Sequence, residues 1–290
     1  MKYAFYLGCI TPYRVPQNEI STRRIAKEFG IELIDLDGFS CCGFPIKNVS
    51  YEASLLTAAR NLCLAEAEGL NICTICSACT STLTEANKKL KEDKKLMDEV
   101  NKKLSKIGHE FKGTIKVRNF ARILYEEIGV EKIREKVKKD LSALNLAVHY
   151  GCHYLKPSEI YDGFDDPENP KSLDELVELT GAKSIDYEDR KLCCGNVMVG
   201  IDQDVSWTIA NQKLEHIKTS DADAMVLICP ACSTQYDTTQ RMIEAKFNVQ
   251  YNLPIVYLNQ VLGLAFGIDP KELGLNLNRV KTTGLLEKLG

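Results

Sequence analysis

The sequence has no long hydrophobic run. Nowhere do about 18 uncharged apolar residues follow one another, so no bilayer span is expected. Nor is there an excess of positive charge: 37 Lys and Arg stand against 40 Asp and Glu, and the net charge of −3 gives no electrostatic footing for nucleic acid. The opening residues, Met1-Lys2-Tyr3-Ala4-Phe5-Tyr6-Leu7, carry too short an apolar core for an export signal, so a cytoplasmic location is expected. No flavin or nicotinamide fingerprint appears.

Cysteine, by contrast, is abundant, with 12 in 290 residues. Disulfide scaffolds are short, exported and poor in regular structure. This chain has long helical patterns and no export signal, so metal or redox chemistry in a reducing compartment is the better account. Ten of the cysteines form one pattern used twice. Each copy has a Gly-Cys pair (Gly8-Cys9; Gly151-Cys152), then Cys-Cys-Gly (Cys41-Cys42-Gly43; Cys193-Cys194-Gly195), then C-x-x-C (Cys76, Cys79; Cys229, Cys232). The offset between copies runs from 143 residues at Cys9 to 153 at Cys76. A loop rich in Pro, Asp and Gly at 157–170 absorbs most of that drift.

Between the cysteines the chain alternates strand and helix. Residues 3–7 read as a strand ending at Gly8-Cys9, 18–29 as a helix, and 31–36 as a second strand. A helix over 52–68 puts Leu55, Ala59, Leu62 and Cys63 on one face, making Cys63 a core residue. Residues 70–75 form a strand delivering Cys76 and Cys79, with Thr80 or Ser81 capping the next helix. That helix, about 82–105, is lysine-rich, but interleaved Glu and Asp make it a solvated face. A further helix covers 121–128. The second half restarts the pattern with a strand at 144–150, a helix at 173–180, strands at 183–187 and 225–228, and an apolar helix at 256–266. The expected architecture is therefore α/β: two tandemly duplicated lobes, residues 1–140 and 141–290, with small parallel sheets and cysteine-bearing loops at the strand ends.

Cys73, Cys76 and Cys79 form C-x-x-C-x-x-C, which leaves the ligand pair ambiguous until the repeats are compared. Cys42 to Cys76 spans 33 intervening residues and Cys194 to Cys229 spans 34, whereas choosing Cys73 leaves 30. Cys73 is set aside on that basis. C-x-x-C suits zinc and iron–sulfur clusters alike. Tetrahedral zinc and a simple cubane each take four ligands, and each half here offers five. Adjacent cysteines chelate one iron awkwardly but reach two easily, which points to a larger or unusual cluster.

On these residues the chain resembles the B subunit of heterodisulfide reductase over essentially its whole length. The likeness includes both Cys-Cys-Gly patterns, Gly151-Cys152-His153 and the tail Asp269-Pro270-Lys271-Glu272-Leu273-Gly274. The resemblance implies two noncubane 4Fe-4S clusters, one on Cys9, Cys41, Cys42, Cys76 and Cys79, the other on Cys152, Cys193, Cys194, Cys229 and Cys232. It implies reduction of the mixed disulfide of coenzyme M and coenzyme B between them, as part of methanogenesis. Electrons would come from a small C subunit with cubane clusters and a flavin-containing A subunit, often joined to a hydrogenase or formate dehydrogenase. His153, beside Cys152, is the candidate proton donor to the product thiolates or a hydrogen-bond partner of cluster sulfur. His149 is expected to face the core or the sheet edge. Arg14, Lys47 and Lys156 lie close in sequence to the cysteines and read as surface charges. A second reading is an electron-transfer subunit of a lactate or glycolate oxidase or a thiol:fumarate reductase, which use related domains. Such subunits often add C-x-x-C-x-x-C-x-x-x-C-P motifs, and this sequence has none.

Overall fold

A computed structural model describes residues 1–290. It contains two four-stranded sheets with all neighbours parallel, in the orders β2-β1-β3-β4 and β6-β5-β7-β8. The first comprises β1 (Lys2–Tyr6), β2 (Glu32–Ile34), β3 (Asn71–Thr74) and β4 (Val117–Asn119). The second comprises β5 (Asn145–Val148), β6 (Lys183–Ile185), β7 (Ala224–Leu227) and β8 (Ile255–Tyr257). The duplicated α/β architecture expected from the cysteine pattern is therefore present.

Local chemistry repeats with it. Ser50 accepts a hydrogen bond from Ala53 N at the start of helix Tyr51–Ala67, and Asp202 accepts one from Val205 N at the start of Gln203–Lys218. Both are side-chain caps satisfying an otherwise free backbone donor. Because the strands are parallel, the loops leaving β1, β2 and β3 gather at the carboxyl end of the first sheet, and those leaving β5, β6 and β7 at the carboxyl end of the second.

The repeats are not independent bodies. The helix after β4, Phe120–Arg122 continuing in π form over Ile123–Ile128, reaches helix Ser172–Glu178 of the second repeat, where Tyr125 Oη donates to Glu175 at 2.6 Å. The helix after β8, Leu258–Ala265, returns to Pro16–Glu28 of the first, where Asn259 Nδ2 donates to Thr22 Oγ1 at 2.7 Å. One apolar core joins Ile25, Leu124, Leu146, Leu176 and Leu262 from both halves. Burying these faces against each other is what holds the repeats together.

Several boundaries differ from the sequence reading. The lysine-rich segment is two helices, Ser77–Glu92 and Lys94–Leu104, because Asp93 turns extended and caps Leu96 N at 3.0 Å. The helix at the C-x-x-C begins at Ser77, not after Cys79. Cys76 is its N-cap, and Thr80 Oγ1 donates to Cys76 O at 2.8 Å instead of capping. Likewise Pro230–Ser233 starts directly after Cys229. The edge strands β4 and β8 were not read from the sequence.

Candidate metal centre

The ten patterned cysteines come together, and the other two do not. In the first repeat the thiols touch in the order Cys9, Cys41, Cys42, Cys79, Cys76. In the second the order is Cys152, Cys193, Cys194, Cys232, Cys229, with Cys152 Sγ 4.0 Å from Cys193 Sγ. The two lines meet, since Cys76 also touches Cys229. Cys9 is exposed and Cys152 half-buried, whereas Cys76 and Cys229 are buried at the boundary between repeats. The packing is close: a Cβ on Gly8 would stand 3.0 Å from Cys79 Sγ. A cavity of about 470 Å³ opens beside the exposed end, lined by Gly8, Cys9, Cys41, Tyr6 and Phe39 among others.

Cys63 is buried on helix Tyr51–Ala67, and Cys73 is buried on β3 with its side chain in the opposite core from Cys76. Strand alternation explains Cys73, since Ile72 and Cys73 point to opposite faces.

In the first line Cys41 takes the role of acceptor, and in the second both Cys193 and Cys229 do. Thiols of Cys42 and Cys9 and the Gly43 N–H hold Cys41 far below the ordinary thiol range, at about 2. Cys152 and Cys194, with Gly195 N at 3.4 Å, do the same for Cys193, also at about 2. Thiolates are the ligating form. Soft cysteine sulfurs in sets of five, with backbone N–H groups aimed at sulfur, fit an iron–sulfur cluster.

The surrounding side chains divide in two groups. His149 is fully buried, with Nε2 3.4 Å from Cys232 Sγ and Nδ1 3.3 Å from Lys213 Nζ. Burial and the neighbouring Lys213 charge push His149 well below its usual range, so the ring is neutral. Burial also pushes Lys213 down, to about 8, against the pull of the Cys232 and Cys194 sulfurs. The sequence reading passed over Lys213. Its signal was available: like Asn61 it lies 19 residues beyond the second cysteine of the adjacent pair.

His153 sits edge-on to Phe44 of the first repeat, ring centroids 4.9 Å apart, with Nδ1 buried and unpaired. Burial pushes its pKa down. Lys47 is tied to Glu85 at 2.5 Å and Lys156 to Glu168 at 3.0 Å. Arg14 differs. It lines a groove of about 560 Å³ with Arg241, Arg279 and Lys281, whose one carboxylate, Asp237, accepts from the backbone N of Arg279 and Val280.

With this geometry in place, the class of protein is clear: the chain belongs to the cysteine-rich CCG family, whose domain model matches residues 3–84 and 146–237. Within it, the chain is 38% identical to the B subunit of ferredoxin:CoB-CoM heterodisulfide reductase from Methanosarcina mazei, over 99% of this chain and 97% of that protein. It is 35% identical to the 8-methylmenaquinol:fumarate reductase membrane anchor subunit of Wolinella succinogenes, over 98% of this chain and 99% of that one. A hypothetical protein from Helicobacter pylori shares the fold, with a TM-score of 0.75 at 17% identity, covering 97% of this chain and 52% of that one. No helix here is long and apolar enough to cross a membrane.

Proposed function

We propose that this chain is the disulfide-reducing subunit of a heterodisulfide reductase, acting on the coenzyme M–coenzyme B disulfide in the cytoplasm. The observation that carries the reading is the pair of five-thiol lines meeting at Cys76 and Cys229. Each set would hold one noncubane 4Fe-4S cluster, on Cys9, Cys41, Cys42, Cys76 and Cys79 and on Cys152, Cys193, Cys194, Cys229 and Cys232 respectively. Bound there, the clusters would supply the two electrons that, with two protons, convert one disulfide into two thiols.

The chain's own residues do the rest. The thiolates and backbone N–H groups of the two Cys-Cys-Gly turns orient the ligand set. The cavity beside Cys9 and Cys41 admits a small molecule to the solvent end of the first line. His153, whose Nδ1 has no partner and whose ring packs on Phe44, would serve as the proton donor to a departing sulfur. Electrons would reach the chain from a cubane-cluster C subunit and a flavin-containing A subunit, with a hydrogenase or formate dehydrogenase behind them.

The likeness to the Wolinella protein favours a second reading, an electron-transfer subunit serving a fumarate reductase. Anaerobic iron and sulfide analysis, with EPR during titration by the disulfide, separates the cases. About eight irons per chain and a signal induced by the disulfide support disulfide reduction. The same irons without that signal support electron transfer alone. Two zincs and no acid-labile sulfide overturn both.

A further inference from the structure

The two halves match so closely around the cysteines that a mismatch at equivalent positions is informative. Tyr6 and His149 each lie three residues before the Gly-Cys cysteine, and Asn61 and Lys213 each lie 19 residues after the second cysteine of the adjacent pair. In the first half both residues are neutral and both bind backbone. Tyr6 Oη donates to Ser40 O; Asn61 Oδ1 accepts from Ser40 N at 2.9 Å, and its Nδ2 donates to Cys41 O at 3.0 Å.

In the second half Lys213 Nζ donates to Leu192 O at 2.9 Å and Arg190 O at 3.2 Å, so the loop-holding role of Asn61 is kept. The ammonium also faces His149 Nδ1 at 3.3 Å. An ammonium has donors only, so Nδ1 accepts and the ring proton sits on Nε2, 3.4 Å from Cys232 Sγ. The second half thus aims an N–H at a cysteine sulfur and places a buried positive charge behind it. The first half has neither.

No carboxylate forms an ion pair with Lys213. Asp189, whose charge acts on it without forming an ion pair, accepts from Gln212 Nε2 at 2.7 Å. Both Lys213 and His149 are only 1% exposed. A buried cation without a counter-ion is costly. The compensating negative charge available to it is that of the thiolate-bound centre.

We infer that Lys213, acting through His149, makes the C-terminal cysteine set the more readily reduced of the two. Reduction adds negative charge to the centre. A hydrogen bond to ligand sulfur and a nearby positive charge in a low-dielectric surrounding both favour that state. The two sites are then alike in ligands and unlike in potential, and an electron entering the pair settles first at the C-terminal one. Lys213 is a positioning residue in this scheme, and the inference rests on the cluster assignment proposed above.

The test is an EPR-monitored redox titration of the anaerobically prepared, loaded chain, with dithionite as reductant, in wild type and two variants. Lys213→Gln keeps a donor for the Leu192 and Arg190 carbonyls but no charge; Lys213→Met removes both. In Lys213→Gln, with iron and sulfide content unchanged, one reduction step is expected to move to lower potential while the other stays. The step that moves should be the one altered by Cys193→Ser. Full iron content with both potentials unmoved in Lys213→Gln overturns the inference and leaves the cluster assignment standing. A wild-type chain without acid-labile sulfide overturns both. Loss of iron in Lys213→Met with an unshifted Lys213→Gln assigns the lysine to loop support and also overturns it.

Discussion

The thiol of Cys76 touches the thiol of Cys229 across the boundary between the repeats, while Cys9 lies exposed at the far end of its line. Two clusters held on these lines, as proposed, would meet at this pair of thiols and are expected to sense each other. Cys76→Ser should therefore change the EPR signal of the C-terminal set as well as its own. Cys9→Ser, five thiols from Cys229 along the line, should alter only the N-terminal signal. An unchanged C-terminal spectrum in Cys76→Ser would show that the contact carries no coupling.

The turn of each Cys-Cys-Gly motif depends on its glycine. Gly43 has φ +92° and Gly195 φ +79°, conformations that L side chains rarely adopt. A Cβ would stand 2.7 Å from Ser54 O at Gly43 and 2.8 Å from Ser206 O at Gly195. Strain and overlap together set the expected cost of Gly43→Ala or Gly195→Ala at about 2–4 kcal/mol in urea unfolding of the apo chain. Gly69 has φ +64° and nothing within 4 Å of a Cβ, so Gly69→Ala should cost only about 1–2 kcal/mol. Equal losses at the three positions would remove the role given to the serine backbone.

The two cysteines outside the lines give a contrasting pair of expectations. Neither Cys63→Ser nor Cys73→Ser should reduce the iron content of the loaded chain. Their stabilities should differ. A hydroxyl at position 73 is buried on β3 in an apolar core and should cost about 1–3 kcal/mol. At position 63 the hydroxyl can bond back to the preceding helical turn, so the cost should be about 0.5–1 kcal/mol. Iron loss on replacing Cys73 would return it to the ligand set.

The ten-cysteine pattern and the duplication were legible because both are written in local spacing, and comparing the copies excluded Cys73. The meeting of Cys76 with Cys229 was not, because packing between repeats leaves no periodic mark on either. Val117–Asn119 is three residues with a charge in the middle, too short to announce β4. Ile255–Tyr257 merges with the apolar helix that follows, where a buried strand and a buried helix read alike. His149, expected at the core or the sheet edge, lies in the core, but its line to Lys213 depends on a side chain 64 residues away. The helix start at Ser77 was missed because Cys76, at the N-cap position, is not among the usual capping residues and makes no side-chain cap.

Glu85 provides a test in the acid range. It links the helix that begins at the C-x-x-C to the segment following Cys-Cys-Gly through Lys47 at 2.5 Å, and pairs within its own helix with Lys89 at 3.0 Å. Burial pushes its pKa up, but the two ammonium groups outweigh burial and the net shift is downward. The folded chain therefore binds a proton here less readily than the unfolded chain. The resulting stabilisation is fully present above the unfolded value, about 4.3, and is lost as pH falls through the lower folded value. Glu85→Gln should cost about 1 kcal/mol at pH 7 in urea unfolding of the apo chain, and the wild-type advantage should shrink as the medium is taken below pH 4. An advantage that stays constant down to pH 2 would mean that Glu85 contributes packing alone. The Lys47 pair would then have no part in holding the Cys-Cys-Gly segment against the helix.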